Sequence, residues 1–203
     1  ADEFNAYRAR ASFFNATART VDGFVGLIFR REPSVKLPER GAGVAGALRV
    51  FAEDVDLLGT SLYTYSKNIV SEVLTVGRAG TLVDWEGDGE QRGYVVRYAA
   101  EQILNWRIAR VNGRNLVTLV VLSEVMTASN AADDFDVAEV EQLRVLRLAT
   151  VASAKGKAEH RYVVEIWRRQ QSKDKRRKSE WMKVETRIPL RLGKPLTMIP
   201  FVF

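Results

Sequence analysis

The chain has one histidine, His160, and no cysteine, and this narrows the chemistry open to it. Without a thiol there is no cysteine nucleophile, no Cys/His zinc site and no disulfide. A Ser/His/Asp triad would have to be built around His160, yet no GxSxG turn is present to hold the serine. Asp133, Asp134 and Asp136 are the densest carboxylates, and strand alternation would put Asp134 and Asp136 on one side. They lie in a polar segment with no second ligand cluster, so the expectation is a solvated acidic loop from Thr127 to Asp136. Asp84-Trp85-Glu86-Gly87-Asp88-Gly89 opens like a calcium loop, but the twelfth position, which should supply a bidentate glutamate, is Val95. Gly41-Ala42-Gly43-Val44-Ala45-Gly46 fits GxGxxG in form. A dinucleotide site needs a strand directly before it, and here Pro38 stands upstream, so a loop is expected. The chain is expected to have no catalytic residues, no metal and no cofactor, and not to be an enzyme.

The strongest charge feature is basic. Arg168, Arg169, Lys173, Lys175, Arg176, Arg177 and Lys178 set seven cations against one aspartate, with Trp167 and Trp181 on either side. Such a run can meet phosphates and release counterions, and flanking indoles could stack on bases. The plainer expectation is a long, solvated hairpin tip whose tryptophans pack into a sheet. Contact with DNA here would be directed at the backbone and indifferent to sequence.

These residues are carried by elements that the apolar spacing outlines. Phe4, Tyr7, Ala11, Phe14, Ala18, Val21, Val25 and Ile28 recur at three and four, which predicts one long helix over residues 2–30. Arg8, Arg10 and Arg19 fall off that stripe, toward solvent or a partner. Glu32-Pro33 should end the helix. A Gly- and Pro-rich loop is expected over residues 34–46, then helices over 47–58 and 61–76, with Gly77 as a stop. From Arg78 the period changes to two. Strands are predicted over 81–85 and 94–98, one helical turn over 99–102, and a hairpin joining 105–111 to 116–125 through Asn112-Gly113. A second hairpin should pair 142–150 with 161–169, and final strands should cover 181–186 and 197–203. The result is α+β, with long N-terminal helices over 1–77 followed by an antiparallel β meander over 78–203.

A 46% apolar and 28% charged composition matches a folded globular chain and argues against disorder. The net charge of +6 permits contact with nucleic acid without establishing it. No apolar run approaches the roughly 18 residues that would cross a bilayer, so no membrane is expected as a partner. The chain opens without methionine and closes on the apolar run Met198–Phe203, which suggests an excerpt of a longer polypeptide.

Several segments together resemble the portal proteins of tailed bacteriophages, a family of phage and prophage genomes. These are Ala18–Pro33; Gly59–Leu62 with Val73–Trp85; Tyr94–Arg107, the most specific; and Gly193–Val202. Gly93 departs from the pattern, where a proline would be expected. The resemblance implies the wing portion of a ring-forming structural subunit, in a ring of about twelve copies at one capsid vertex of the virion. Assembly would occur in the host bacterial cytoplasm. Double-stranded DNA would pass through the ring during packaging and ejection. Partners would be other copies of the chain, the terminase, the head–tail connector or adaptor, and the major capsid protein. The alternative is a basic nucleic-acid-binding module acting through residues 168–178.

Overall fold

The computed structural model describes residues 2–11, 14–36, 42–85, 91–130, 133–152, 158–170 and 180–203. The chain is an α+β protein with antiparallel sheets and divides into two compact units, residues 1–78 and 79–203.

Among the described residues the first unit holds four helices: α1 (Asp2–Arg10), α2 (Ala16–Ile28), α3 (Ala42–Glu53) and α4 (Leu62–Val76). The long helix expected over residues 2–30 is thus two. Asn15 interrupts it, because its side-chain Oδ1 accepts from the Ala18 amide at 2.9 Å and caps α2. Val21 and Val25 are the buried residues of α2, and Phe29 packs edge to face on Tyr63 with ring centroids 5.6 Å apart. The loop expected over 34–46 and the helix expected over 47–58 also need correcting. Helix starts at Ala42, four residues before the last glycine of the GxGxxG stretch, and stops at Glu53. Alanines at 42, 45, 47 and 52 favour helix enough to carry Gly43 and Gly46 within it.

Residues 54–60 form a turn locked by carboxylates. Asp54 accepts from the Gly59 amide, Asp56 accepts from the Leu58 and Thr60 amides, and the turn folds over a fully buried Val55. Ser61 then caps α4 and Gly77 ends it at φ +83°. That left-handed geometry costs any Cβ, so Gly77→Ala is expected to lower stability by about 1 kcal/mol, measurable as a shift in helix melting by circular dichroism.

The second unit begins with β1 (Ala79–Trp85), β2 (Gly93–Ala99), a 3-10 turn at Ala100–Gln102, and β3 (Ile103–Val111). Asn112 and Gly113 turn the chain at φ +49° and +81°, the two positive values a type I′ turn requires. There follow β4 (Arg114–Asn130), β5 (Asp133–Ala152), β6 (Ala158–Gln170), β7 (Glu180–Arg187), β8 (Leu190–Arg191), β9 (Lys194–Pro195) and β10 (Phe201–Val202). Of the acidic loop expected over 127–136, the described residues are strand. β4 and β5 stay paired through Ser129↔Val137 and Asn130↔Asp133, placing Asp133, Asp134 and Asp136 on a strand. Of the strand expected over 197–203, only Phe201 and Val202 pair, alongside β1.

Two sheets make the core. The five-stranded sheet runs β3-β4-β5-β6-β7 and the three-stranded sheet β10-β1-β2. Neighbouring strands bring Val120 opposite Leu146, Leu146 opposite Val164, and Leu148 opposite Tyr162. This face packs on Leu82, Tyr98 and Phe201 of the smaller sheet, and the whole cluster is buried. Period-two alternation through β-branched and leucine positions puts one continuous apolar surface between the sheets.

Candidate functional site

The polar end of that inter-sheet surface is where charged side chains converge. The alternation that buries Val120 and Leu122 also turns Glu124 inward. On β5 it turns Gln142 and Arg144 inward, and on β6 Arg168, since Glu124 faces Gln142, Gln142 faces Arg168 and Leu122 faces Arg144. From the smaller sheet the Tyr98 hydroxyl donates to Glu124 Oε1 at 2.6 Å. Arg144 Nε donates to the same oxygen at 2.6 Å and Gln142 Nε2 to Oε2 at 2.7 Å. Arg168 Nε donates to Gln142 Oε1 at 3.2 Å, and Arg144 also pairs with Asp84 of β1 at 3.6 Å.

Burial alone would raise the Glu124 pKa, but the hydrogen bond and charge of Arg144 outweigh it, and the carboxyl lies below its ordinary value. Burial, then the Glu124 charge, push the Tyr98 hydroxyl up, which keeps it a donor. Both Glu124 oxygens are occupied. The network joins the two sheets. Sequence reasoning passed over it, and the signal was there: a glutamate and a glutamine at strand positions in phase with buried leucines.

Of the predicted basic tip, Arg168 and Arg169 are described and Lys173, Lys175, Arg176, Arg177 and Lys178 lie outside the described residues. The two arginines are engaged within the sheet. Besides its bond to Gln142, Arg168 donates to Met126 Sδ at 3.4 Å. Arg169 sits over the Trp181 ring, 5.0 Å from its centroid, and pairs with Glu141 at 3.9 Å. Trp167 Nε1 donates to Glu165, which also meets Lys183 and Arg147 on that strand pair's other face. Both indoles therefore serve the sheet.

The chain matches no protein-family model and no curated protein.

Arg8, Arg10 and Arg19, expected to face solvent or a neighbour, are all exposed. Arg10 Nε bonds back to the Ala6 carbonyl at 3.2 Å, and Arg19 lies over the Phe14 ring at 5.0 Å. Phe14, placed on the stripe by its spacing, is itself exposed and joins no core. His160 faces Thr150 Oγ1 through Nδ1 at 3.3 Å. Among the described residues no three His, Asp or Glu side chains group as a metal would need, and no helix is long and apolar enough to cross a membrane. Of the calcium-like stretch, Asp84 is described, and its carboxylate serves Arg144.

Proposed function

We propose that this chain is part of a structural subunit of a tailed-phage portal ring. The ring would form the capsid-vertex channel for packaging and ejecting double-stranded DNA, and the docking site for terminase and head–tail connector. One observation carries the reading. Tyr94–Arg107, the segment with the most specific resemblance, is the stretch that joins the two sheets: β2, the 3-10 turn and the first part of β3. Within it Tyr98 and Ile103 enter the core, and Trp106 rests on Phe203 at 5.6 Å. Residues that define a family's fold are expected at such a crossing.

Exposed apolar side chains support a role in contact. Phe24, Leu27 and Ile28 share one side of α2, and Leu104 and Ile108 stand on an edge strand. Side chains of this kind serve naturally as subunit interfaces. A closed ring needs one surface of each copy to meet a different surface of the next, and separate apolar sets on two units provide two such surfaces. The role asks for contact and diffuse charge, with no turnover by the chain itself. The other copies, the terminase, the connector and the major capsid protein would be its protein partners, and the virion vertex its location.

Arg8, Arg10 and Arg19 are assigned to the subunit contact. In the natural full-length protein, changing all three to glutamate is expected to prevent closed rings seen by electron microscopy. Normal rings from that triple variant would remove these arginines from the contact. Separate particles from the unaltered protein would overturn the ring reading itself.

A further inference from the structure

Beside the start of β10, a pocket of about 310 Å³ opens between β1, β6 and the β8–β9 hairpin. Pro189, Leu190, Leu196 and Pro200 make its walls apolar. Three polar groups on it lack a partner. Tyr162, on the inward side of β6, is only 3% exposed, and its hydroxyl bonds to no described residue. Asp84 turns the same way from β1, two residues beyond the buried Leu82. Its Oδ1 accepts from the Trp85 amide at 2.9 Å, while Oδ2 meets only Arg144 at 3.6 Å, beyond hydrogen-bond reach. The Val83 amide donates to the Pro200 carbonyl at 2.9 Å, but proline has no N–H to return. The Val83 carbonyl therefore lacks its ladder donor on that edge. One carboxylate, Asp84, and one guanidinium, Arg191, line the pocket, so neither charge prevails. Such a lining asks for a neutral group that carries both a donor and an acceptor. A peptide amide is that group.

We propose that this pocket binds a short, extended, uncharged apolar segment of a partner protein. An N–H of the segment donates to the Val83 carbonyl or to Asp84 Oδ2, and a C=O accepts from the Tyr162 hydroxyl. Its aliphatic side chains lie against the prolines and leucines of the walls. The volume is at the lower end for ligand pockets and suits about two or three residues. A nearly buried hydroxyl without a partner costs stability, and a ligand that satisfies it recovers that cost. The pocket is independent of the portal reading: it lies within one unit of one copy, and its test reads no assembly.

The test is titration of the isotope-labelled 203-residue chain with a terminally blocked tripeptide, acetyl-Leu-Ala-Val-amide, followed by amide NMR shifts. Saturable shifts are expected at Trp85, Gly93 and Leu190. Tyr162→Phe keeps the ring in the core and is expected to weaken binding about fivefold. Its melting midpoint should not fall, because the hydroxyl has no partner to lose. Leu190→Asp, at a position 60% exposed, should weaken binding about tenfold while the chain stays folded. The same tripeptide methylated at its amide nitrogens is as apolar but has no N–H, and should bind about tenfold more weakly. Absent or unsaturable shifts in the unaltered chain overturn the proposal. Equal affinity in Tyr162→Phe or Leu190→Asp, or for the methylated tripeptide, overturns it too. Two small competitors decide the ligand class. Displacement of the tripeptide by n-butylammonium would make the pocket a cation site, and displacement by butyrate an anion site. Shifts at the same amides on concentrating the chain alone would make the occupant a second copy. Each of these three results overturns the assignment to a neutral partner segment.

Discussion

Replacing Glu124 with alanine is expected to lower the unfolding free energy of residues 79–203 by about 3 kcal/mol. The cost comes from what remains. Arg144 is only 22% exposed and loses its nearest carboxylate, while Tyr98 and Gln142 each keep a donor with nothing to accept it. Partial exposure of the pair, 15% for Glu124, keeps the figure at the lower end for a broken buried ion pair. All four tryptophans, at 85, 106, 167 and 181, lie in this unit, so denaturant titration followed by indole fluorescence reports it alone. An unmoved midpoint would mean that the cluster is a wet surface array with no part in joining the sheets.

The same carboxylate sets a pH dependence. Its folded pKa lies below its ordinary value of 4.5, so the unfolded chain takes up the proton first. Its contribution is therefore whole above about pH 4.5 and is lost as pH falls through the lower folded value. Glu124→Gln, which cannot titrate, should flatten this part of the acid stability profile. A profile of unchanged slope in the glutamine variant would assign the acid sensitivity to other carboxylates.

A second large effect is expected where β1 meets β10. A Cβ built at Gly80 would overlap the Phe201 ring and come within 2.9 Å of Ile103 Cδ1. Gly80→Ala is expected to cost about 2 kcal/mol by overpacking, and Phe201→Ala about 4 kcal/mol by opening a cavity beside Tyr98. The two changes share one space. In the double variant the new methyl enters the room left by the ring, so the combined loss should fall short of the sum by at least about 1 kcal/mol. Strict additivity, measured in the same fluorescence titration, would show that Gly80 and Phe201 do not compete for that volume.

Some of this architecture could be read from residues alone. Asn112-Gly113 was legible because few residues accept two successive positive φ values. Gly77 was legible for the same reason at a helix end. The pairing of residues 142–150 with 161–169 followed from two in-phase apolar alternations, and the register that brings Thr150 opposite His160 realises it. Other parts were hidden by competing signals. The apolar stripe runs straight through Phe14, so spacing could not reveal that Asn15 stops one helix and caps the next. Glycines at 41, 43 and 46 resembled a loop, although the alanines among them favour helix. The far ends of β4 and β5 lie beyond the apolar core. There the strands stay paired, and a sequence of mostly small and polar residues leaves no apolar period to detect. The Glu124 network left a signal, but an ambiguous one. A glutamate in phase with leucines looks like an interruption until a facing sheet supplies Tyr98.

The central claim is that this chain exists to meet copies of itself around a channel. Mass measurement of the natural full-length protein in solution, repeated over a dilution series, tests it most directly. The account predicts one discrete, large mass, a fixed whole-number multiple of the subunit that persists on dilution. A protein that stays monomeric at every concentration would contradict it.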